Sequence, residues 1–177
     1  GISTGALFLI VGMIYERRHT RMIQDFGGLS KVMPLFALCF MAVALSSIGL
    51  PGTNGFVGEF LILLGAFRVH TAMTVIAATG VVLAAVYMLW MFQRVMFGKV
   101  TREENLRLKD LNGREIACML PILLLVFWIG VYPQPFLRRM DATVQAFVAR
   151  FEAGKKAAAA ETAPGKPTIA RLPGAGK

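Results

Sequence analysis

An all-α integral membrane bundle with one broken transmembrane helix is the fold class that this 177-residue chain predicts. Three observations carry it. Hydrophobic residues make up 56% of the chain and charged residues only 16%, outside the usual range of soluble domains. The apolar residues gather in long stretches at about 2–15, 33–67, 74–97 and 115–132. The Lys and Arg residues behind the net charge of +9 fall between and after those stretches, as membrane-flanking charges do. A basic face for nucleic acid is excluded on the same ground, because it would leave the apolar stretches unexplained.

The first stretch, 1–15, opens on Gly1 without a basic n-region or cleavage site, so it does not read as a signal peptide. It is also too short for a bilayer, which takes about 20 helical residues. A partial transmembrane helix, belonging to the C-terminal piece of a longer protein, is the expectation. Segments 74–97 and 115–132 have ordinary transmembrane lengths, with Tyr87, Trp90, Trp128 and Tyr132 as candidate headgroup-level rings. Pro34 and Pro121 are expected in the first turns of their helices, where a missing N–H costs little.

The stretch 33–67 would be roughly 50 Å long as one helix, too long for a hydrocarbon core of about 30 Å. Charge decides between a hairpin and a single interrupted span. Arg17, Arg18, Arg21 and Lys31 lie in the segment 16–32. Lys99, Arg102, Arg107, Lys109 and Arg114 lie in 98–114, preceded by Arg94. By the positive-inside rule both are cytoplasmic loops, so 33–67 crosses once and the short 68–73 connection lies outside. The same parity puts the C-terminal tail outside, despite its own basic residues. Residues 133–153 form an interfacial segment, since Phe136, Met140, Val144, Phe147 and Phe151 recur at helical spacing. The remainder, 154–177, is low in complexity and reads as a flexible tail.

The interruption is expected at 51–55, within LPGTNGFVGEF. Pro51 cannot continue a helical ladder, and Gly52 and Gly55, with Gly58 beyond them, let the backbone leave helical geometry. Freed backbone groups at membrane depth need protein or water as partners, so the break faces neighbouring helices. Thr53 or Asn54 is placed to cap the second half-helix, which puts Glu59 within or just after its first turn. Counted from the outer end, Glu59 lies roughly 12–15 Å deep. An ionisable group there costs at least about 2.5 kcal/mol on insertion scales and marks an ion or proton path. Helix amides favour the carboxylate and burial the neutral acid, an opposition suited to a proton-transfer group. The competing reading is a glutamate that stays protonated and ties two helices together. Ser3, Thr4, Ser46 and Ser47 are the other polar groups of interest in the apolar stretches; they serve as helix contacts or line a polar path.

Cys39 and Cys118 lie singly in apolar stretches, and His19 and His70 fall far apart in connecting segments, so no metal-ligand spacing arises. Nor does the chain carry a Cys-rich cluster motif, a haem-attachment motif or a nucleotide loop. Redox chemistry and cofactor binding are therefore not expected of it.

The stretches GISTGALFLIVGMIYERRHTR, LPGTNGFVGEFLIL and GVYPQP resemble the last part of the M-type antiporter-like subunits of bacterial proton-pumping NADH–quinone oxidoreductase, respiratory complex I. The resemblance covers roughly residues 1–135. It implies an antiporter-like helix-bundle fragment, the last four of fourteen transmembrane helices, in the bacterial inner membrane with the tail on the periplasmic side. It further implies proton translocation coupled to NADH oxidation and quinone reduction elsewhere, with FMN, iron–sulfur clusters and quinone in partner subunits. The other complex I membrane subunits, including adjacent antiporter-like ones, and the lipid bilayer are its implied partners. Related subunits usually have lysine in the broken helix and the M type has glutamate, so Glu59 is implied as the proton-transfer residue. Alternatives are a subunit of a multisubunit Na⁺(K⁺)/H⁺ antiporter, a subunit of a membrane-bound hydrogenase, or a purely structural membrane scaffold. The histidine that usually precedes the Gly-Ile-Ser motif, and the earlier glutamate and lysines of the family, have no counterpart from Gly1 onward.

Overall fold

Residues 1–100 and 102–162 are described by a computed structural model, and helices and turns account for their regular structure. Residues 1–133 form one compact unit, and a second begins at Gln134.

In the first unit, α1 (Ile2–Arg18) ends at His19, whose left-handed φ of 51° lets its N–H reach the Tyr15 carbonyl. A 3₁₀ turn (Ile23–Asp25) and the single-turn α2 (Leu29–Val32) lead into α3 (Pro34–Ser47), with Pro34 in the first turn as expected. After an interruption come α4 (Asn54–Phe67), α5 (Thr71–Met96), α6 (Glu103–Leu106) and α7 (Gly113–Val131). Helices α5 and α7 are long and apolar enough to cross a membrane. Helices α3 and α4, 14 residues each, rise only about 21 Å apiece and fall short of a bilayer core singly.

Pro121 departs from expectation. It lies inside α7, because an Asn112–Glu115 capping box starts the helix at Gly113. The Asn112 side chain accepts from the Glu115 N–H at 2.9 Å, and the Glu115 carboxylate accepts from the Asn112 N–H at 2.8 Å.

The segments joining α1 to α3 and α5 to α7 interlock. Gly28 N–H donates to the Phe97 carbonyl at 3.0 Å, and the Ser30 hydroxyl to the Met96 carbonyl at 2.7 Å. Arg102 pairs with Asp25 at 3.1 Å, and Arg18 pairs with Glu104. Gly28 has φ +67°, and a β-carbon on it would lie 2.8 Å from the Val100 nitrogen, so both conformation and space require glycine. The two basic segments therefore occupy one end of the bundle. With α5 running back to that end, the Arg68–His70 connection lies at the other.

Helix α3 is the centre of the packing. Phe36, Phe40, Val43 and Ala44 are buried against Ala6 and Ile10 of α1 and Phe92 and Met96 of α5. Ring pairs Phe36–Phe40, Phe40–Phe92 and Phe92–Phe97 stand 6.2, 5.3 and 5.7 Å apart. Leu64 and Phe67 of α4, Val82, Leu83 and Val86 of α5, and Leu124 and Phe127 of α7 are exposed. Apolar surface on that scale suits lipid or further helices.

The second unit is α8 (Gln134–Thr162), with Met140, Val144, Phe147 and Phe151 exposed at helical spacing. The helix runs on through Gly154 to Thr162, past the expected segment end at 153, because the Lys and Ala residues that follow favour helix. The rest of the expected tail, 163–177, lies outside the described residues.

Candidate functional site: the helix break

The interruption occupies Ile48–Thr53, some three residues earlier than the 51–55 expected; Asn54 and Gly55 already belong to α4. The cause is Gly49. With φ at +74° it sits just past the C-cap Ile48, and Leu50 N–H donates to the Leu45 carbonyl at 3.0 Å. Gly49 N–H meanwhile donates to the Ser46 carbonyl at 3.3 Å. This pair of bonds is a Schellman termination of α3. Leu50 to Thr53 then turn back, with Thr53 N–H on the Leu50 carbonyl at 3.1 Å, Pro51 second and Gly52 third at φ +91°. Proline followed by a positive-φ glycine is what a type II turn demands.

Two close approaches seal the break. A β-carbon on Gly55 would lie 2.0 Å from the Ser46 carbonyl oxygen, so glycine lets the first turn of α4 touch the last turn of α3. A β-carbon on Gly130 would lie 2.2 Å from the Gly52 carbonyl oxygen, so α7 covers the turn with bare backbone. By contrast, a β-carbon on Gly58 would meet nothing within 4 Å.

Thr53 holds the N-cap position of α4, but neither Thr53 nor Asn54 caps it with a side chain. The Thr53 hydroxyl, 1% exposed, donates back to the Leu50 carbonyl at 2.6 Å. The Asn54 Oδ1 instead accepts from Ser46 Oγ at 2.6 Å and lies 3.0 Å from Ser3 Oγ, while the two hydroxyls are 2.8 Å apart. Ser46 is completely buried. Ser3, Ser46 and Asn54 thus form one neutral knot joining α1, α3 and α4. The other two hydroxyls stay apart from it: Ser47 bonds back to the Val43 carbonyl at 2.9 Å, and Thr4 is exposed.

Glu59, the sixth residue of α4, is half-buried and folds back onto the break. Its Oε2 would be 2.5 Å from a β-carbon on Gly49, so the carboxyl lies in the space that glycine leaves open. Among the described residues Glu59 has no ion-pair or hydrogen-bond partner. It is therefore a carboxyl against a non-helical backbone, with its oxygens uncommitted. Groups of three or more His, Cys, Asp or Glu that would hold a metal are absent among the described residues.

Sequence reasoning singled out neither Gly49 nor Gly130. The first had a readable signal, glycine two residues ahead of proline after an apolar helix. The second had none, since its contact is 78 residues away.

Comparison with known proteins agrees with this architecture. The family model for the NADH:quinone oxidoreductase/Mrp antiporter transmembrane region matches residues 1–87. NADH-quinone oxidoreductase subunit M of Rhodobacter capsulatus is 48% identical over 133 residues, 75% of this chain and 26% of that protein. Subunit M of Rickettsia felis is 43% identical over 151 residues, 85% of this chain and 31% of the relative. NADH-ubiquinone oxidoreductase chain 4 of Marchantia polymorpha is 43% identical, with 84% and 30% covered. The chain thus spans about a third of the length of these curated relatives. Among solved structures, respiratory complex I from Thermus thermophilus with bound NADH superposes with a TM-score of 0.75 at 36% identity, covering 82% of this chain and 30% of the other. By sequence and by fold together, this chain belongs to the NADH:quinone oxidoreductase/Mrp antiporter family of membrane proteins.

Proposed function

We propose that this chain is the C-terminal part of an M-type antiporter-like subunit of bacterial respiratory complex I, and that Glu59 transfers protons within it. The observation that carries the reading is the Glu59 carboxyl, set against the Gly49 backbone of a broken helix without a partner among the described residues. A carboxyl paired with arginine would be fixed as an anion. Glu59 has no such partner among the described residues, and an ionisable side chain within a membrane span marks an ion or proton path. Relatives named as NADH-quinone oxidoreductase subunits support the energy source: NADH oxidation and quinone reduction, performed with FMN and iron–sulfur clusters by partner subunits. On this reading the subunit sits in the bacterial inner membrane beside other antiporter-like subunits. The interlocked basic segments face the cytoplasm, and α8 and the tail face the periplasm.

The test is Glu59→Gln in the full-length subunit within the assembled complex, recording NADH–quinone turnover and proton uptake into vesicles together. Loss of pumping in an intact complex is expected, because an amide does not carry a proton. Normal pumping per assembled complex overturns the role and leaves the carboxyl as a helix-pairing group. The family description also covers Mrp antiporters, which favours a second reading, cation/proton exchange without redox coupling. Sodium-dependent proton movement in vesicles lacking NADH would select it.

A further inference from the structure

We propose that the groove between α1 and α5 binds an anionic phospholipid, with its phosphate held by Arg21 and Arg94 and an acyl chain entering the adjoining apolar slot. Both arginines line one open pocket of about 390 Å³, together with Gln24 and Trp90. Each is pre-set by an aromatic ring: Arg21 lies 4.7 Å above the Tyr15 centroid and Arg94 lies 4.8 Å above the Trp90 centroid. The two rings reduce the side-chain freedom that anion binding would otherwise remove.

Neither arginine forms an ion pair among the described residues; the pairs there are Arg17–Glu115, Arg18–Glu104 and Arg102–Asp25. Asp25, the acid nearest in sequence to Arg21, is already held by Arg102 and the Thr20 hydroxyl. The pocket therefore presents two uncompensated cations and an amide, which calls for an anion.

The neighbouring slot identifies the anion as a lipid. A second cavity of about 100 Å³ shares Arg21 and Ile23 with the first and is otherwise apolar, lined by residues including Ile10, Val11, Ile14 and Met91. A soluble phosphate would use the arginines and leave this slot empty. A phospholipid fills both, with the first methylenes of its chain against α1 and α5. The location suits it, because Trp90 and Tyr15 are partly exposed near helix ends on the side of the basic segments. Aromatic rings and basic side chains together mark the headgroup level.

The experiment uses the assembled complex with the full-length subunit in lipid nanodiscs. Phosphatidylglycerol or phosphatidylcholine, each with a photoactivatable group on the first acyl carbons, is crosslinked and the labelled peptides are sequenced. Phosphatidylglycerol is expected to label the peptides containing Val11 and Met91 roughly ten-fold more than phosphatidylcholine does. Arg21→Gln with Arg94→Gln should remove that excess, and lysine at both positions should keep most of it. If the double variant does not assemble, either single glutamine variant serves, with a partial loss expected. Equal labelling by the two lipids, labelling that ignores the glutamine substitutions, or no labelling of these peptides overturns the proposal. Suppression by millimolar inorganic phosphate overturns it in favour of a free anion.

Discussion

The two ends of α3 are stabilised by opposite means. At its start, the carboxylate of Asp110, from the segment after α6, accepts from Leu35 N–H at 2.8 Å and Phe36 N–H at 3.0 Å. An acid some 75 residues away thereby caps two orphan amides where the helix dipole is positive. Arg17 braces the same region, donating to the Lys109 and Asp110 carbonyls at 3.0 and 3.3 Å and clasping both Glu115 oxygens at 2.7 Å. The hydrogen bond to Glu115 raises the Arg17 pKa further above its usual value, outweighing the opposing effect of burial. At its other end, α3 is closed by backbone bonds, glycine contacts and the neutral Ser3–Ser46–Asn54 knot.

The difference teaches where this fold spends charge. Beside water, ion pairs and carboxylate caps cost little desolvation, so they hold structure. In lipid the same devices would be expensive, and at the break neutral groups do the holding. The carboxyl at the break is then left out of the structural bonds, as the proposed transfer role would require.

The comparison breaks most readily at Gly130. Gly130→Leu drives a side chain into the Gly52 carbonyl and should cost about 3 kcal/mol or more, seen as lost assembly of the complex on native gels. Assembly unchanged would mean that α7 does not seal the turn. Asp110→Ala should cost about 1–2 kcal/mol by uncapping α3, read as a lower unfolding midpoint of the full subunit in mixed micelles. Because the cap is structural, pumping per assembled complex should stay normal; a selective pumping loss would show that the charged end also takes part in transfer.

Arg17→Gln should cost about 1 kcal/mol by the same measure, since its pair with Glu115 keeps some solvent contact. Reversing the pair, Arg17→Glu with Glu115→Arg, should recover part of that loss. The smallest effect is expected at the neutral knot. Ser3→Ala should cost about 0.6 kcal/mol, and a double-mutant cycle with Ser46→Ala should show coupling of the same size. Zero coupling would mean that the hydroxyl pair contributes nothing to holding α1 against the break.

Much of this was legible locally. The Pro51–Gly52 pair and the excess length of 33–67 announce a broken helix, because proline and backbone geometry act on their own neighbours. What was misjudged was its register. The expectation began at Pro51, whereas Gly49 ends α3 earlier and Pro51 only shapes the turn that follows. Pro121 misled in the reverse sense, since the Asn112–Glu115 box set the helix start before the proline was reached.

By itself, then, the sequence determined the all-helical class, the presence of a break within 33–67, and a carboxyl near that break. Each follows from short-range chemistry: apolar length, proline's missing N–H, glycine's positive φ. Only the tertiary structure decided that Asp110 caps α3, that Gly130 covers Gly52, that Ser3 reaches Asn54, and that Glu59 lies against Gly49. Three of those contacts join residues more than fifty positions apart. The fourth, Glu59 on Gly49, spans ten positions across a turn whose path no local rule sets. Which polar group meets which depends on how the helices pack, and packing is a property of the assembled bundle.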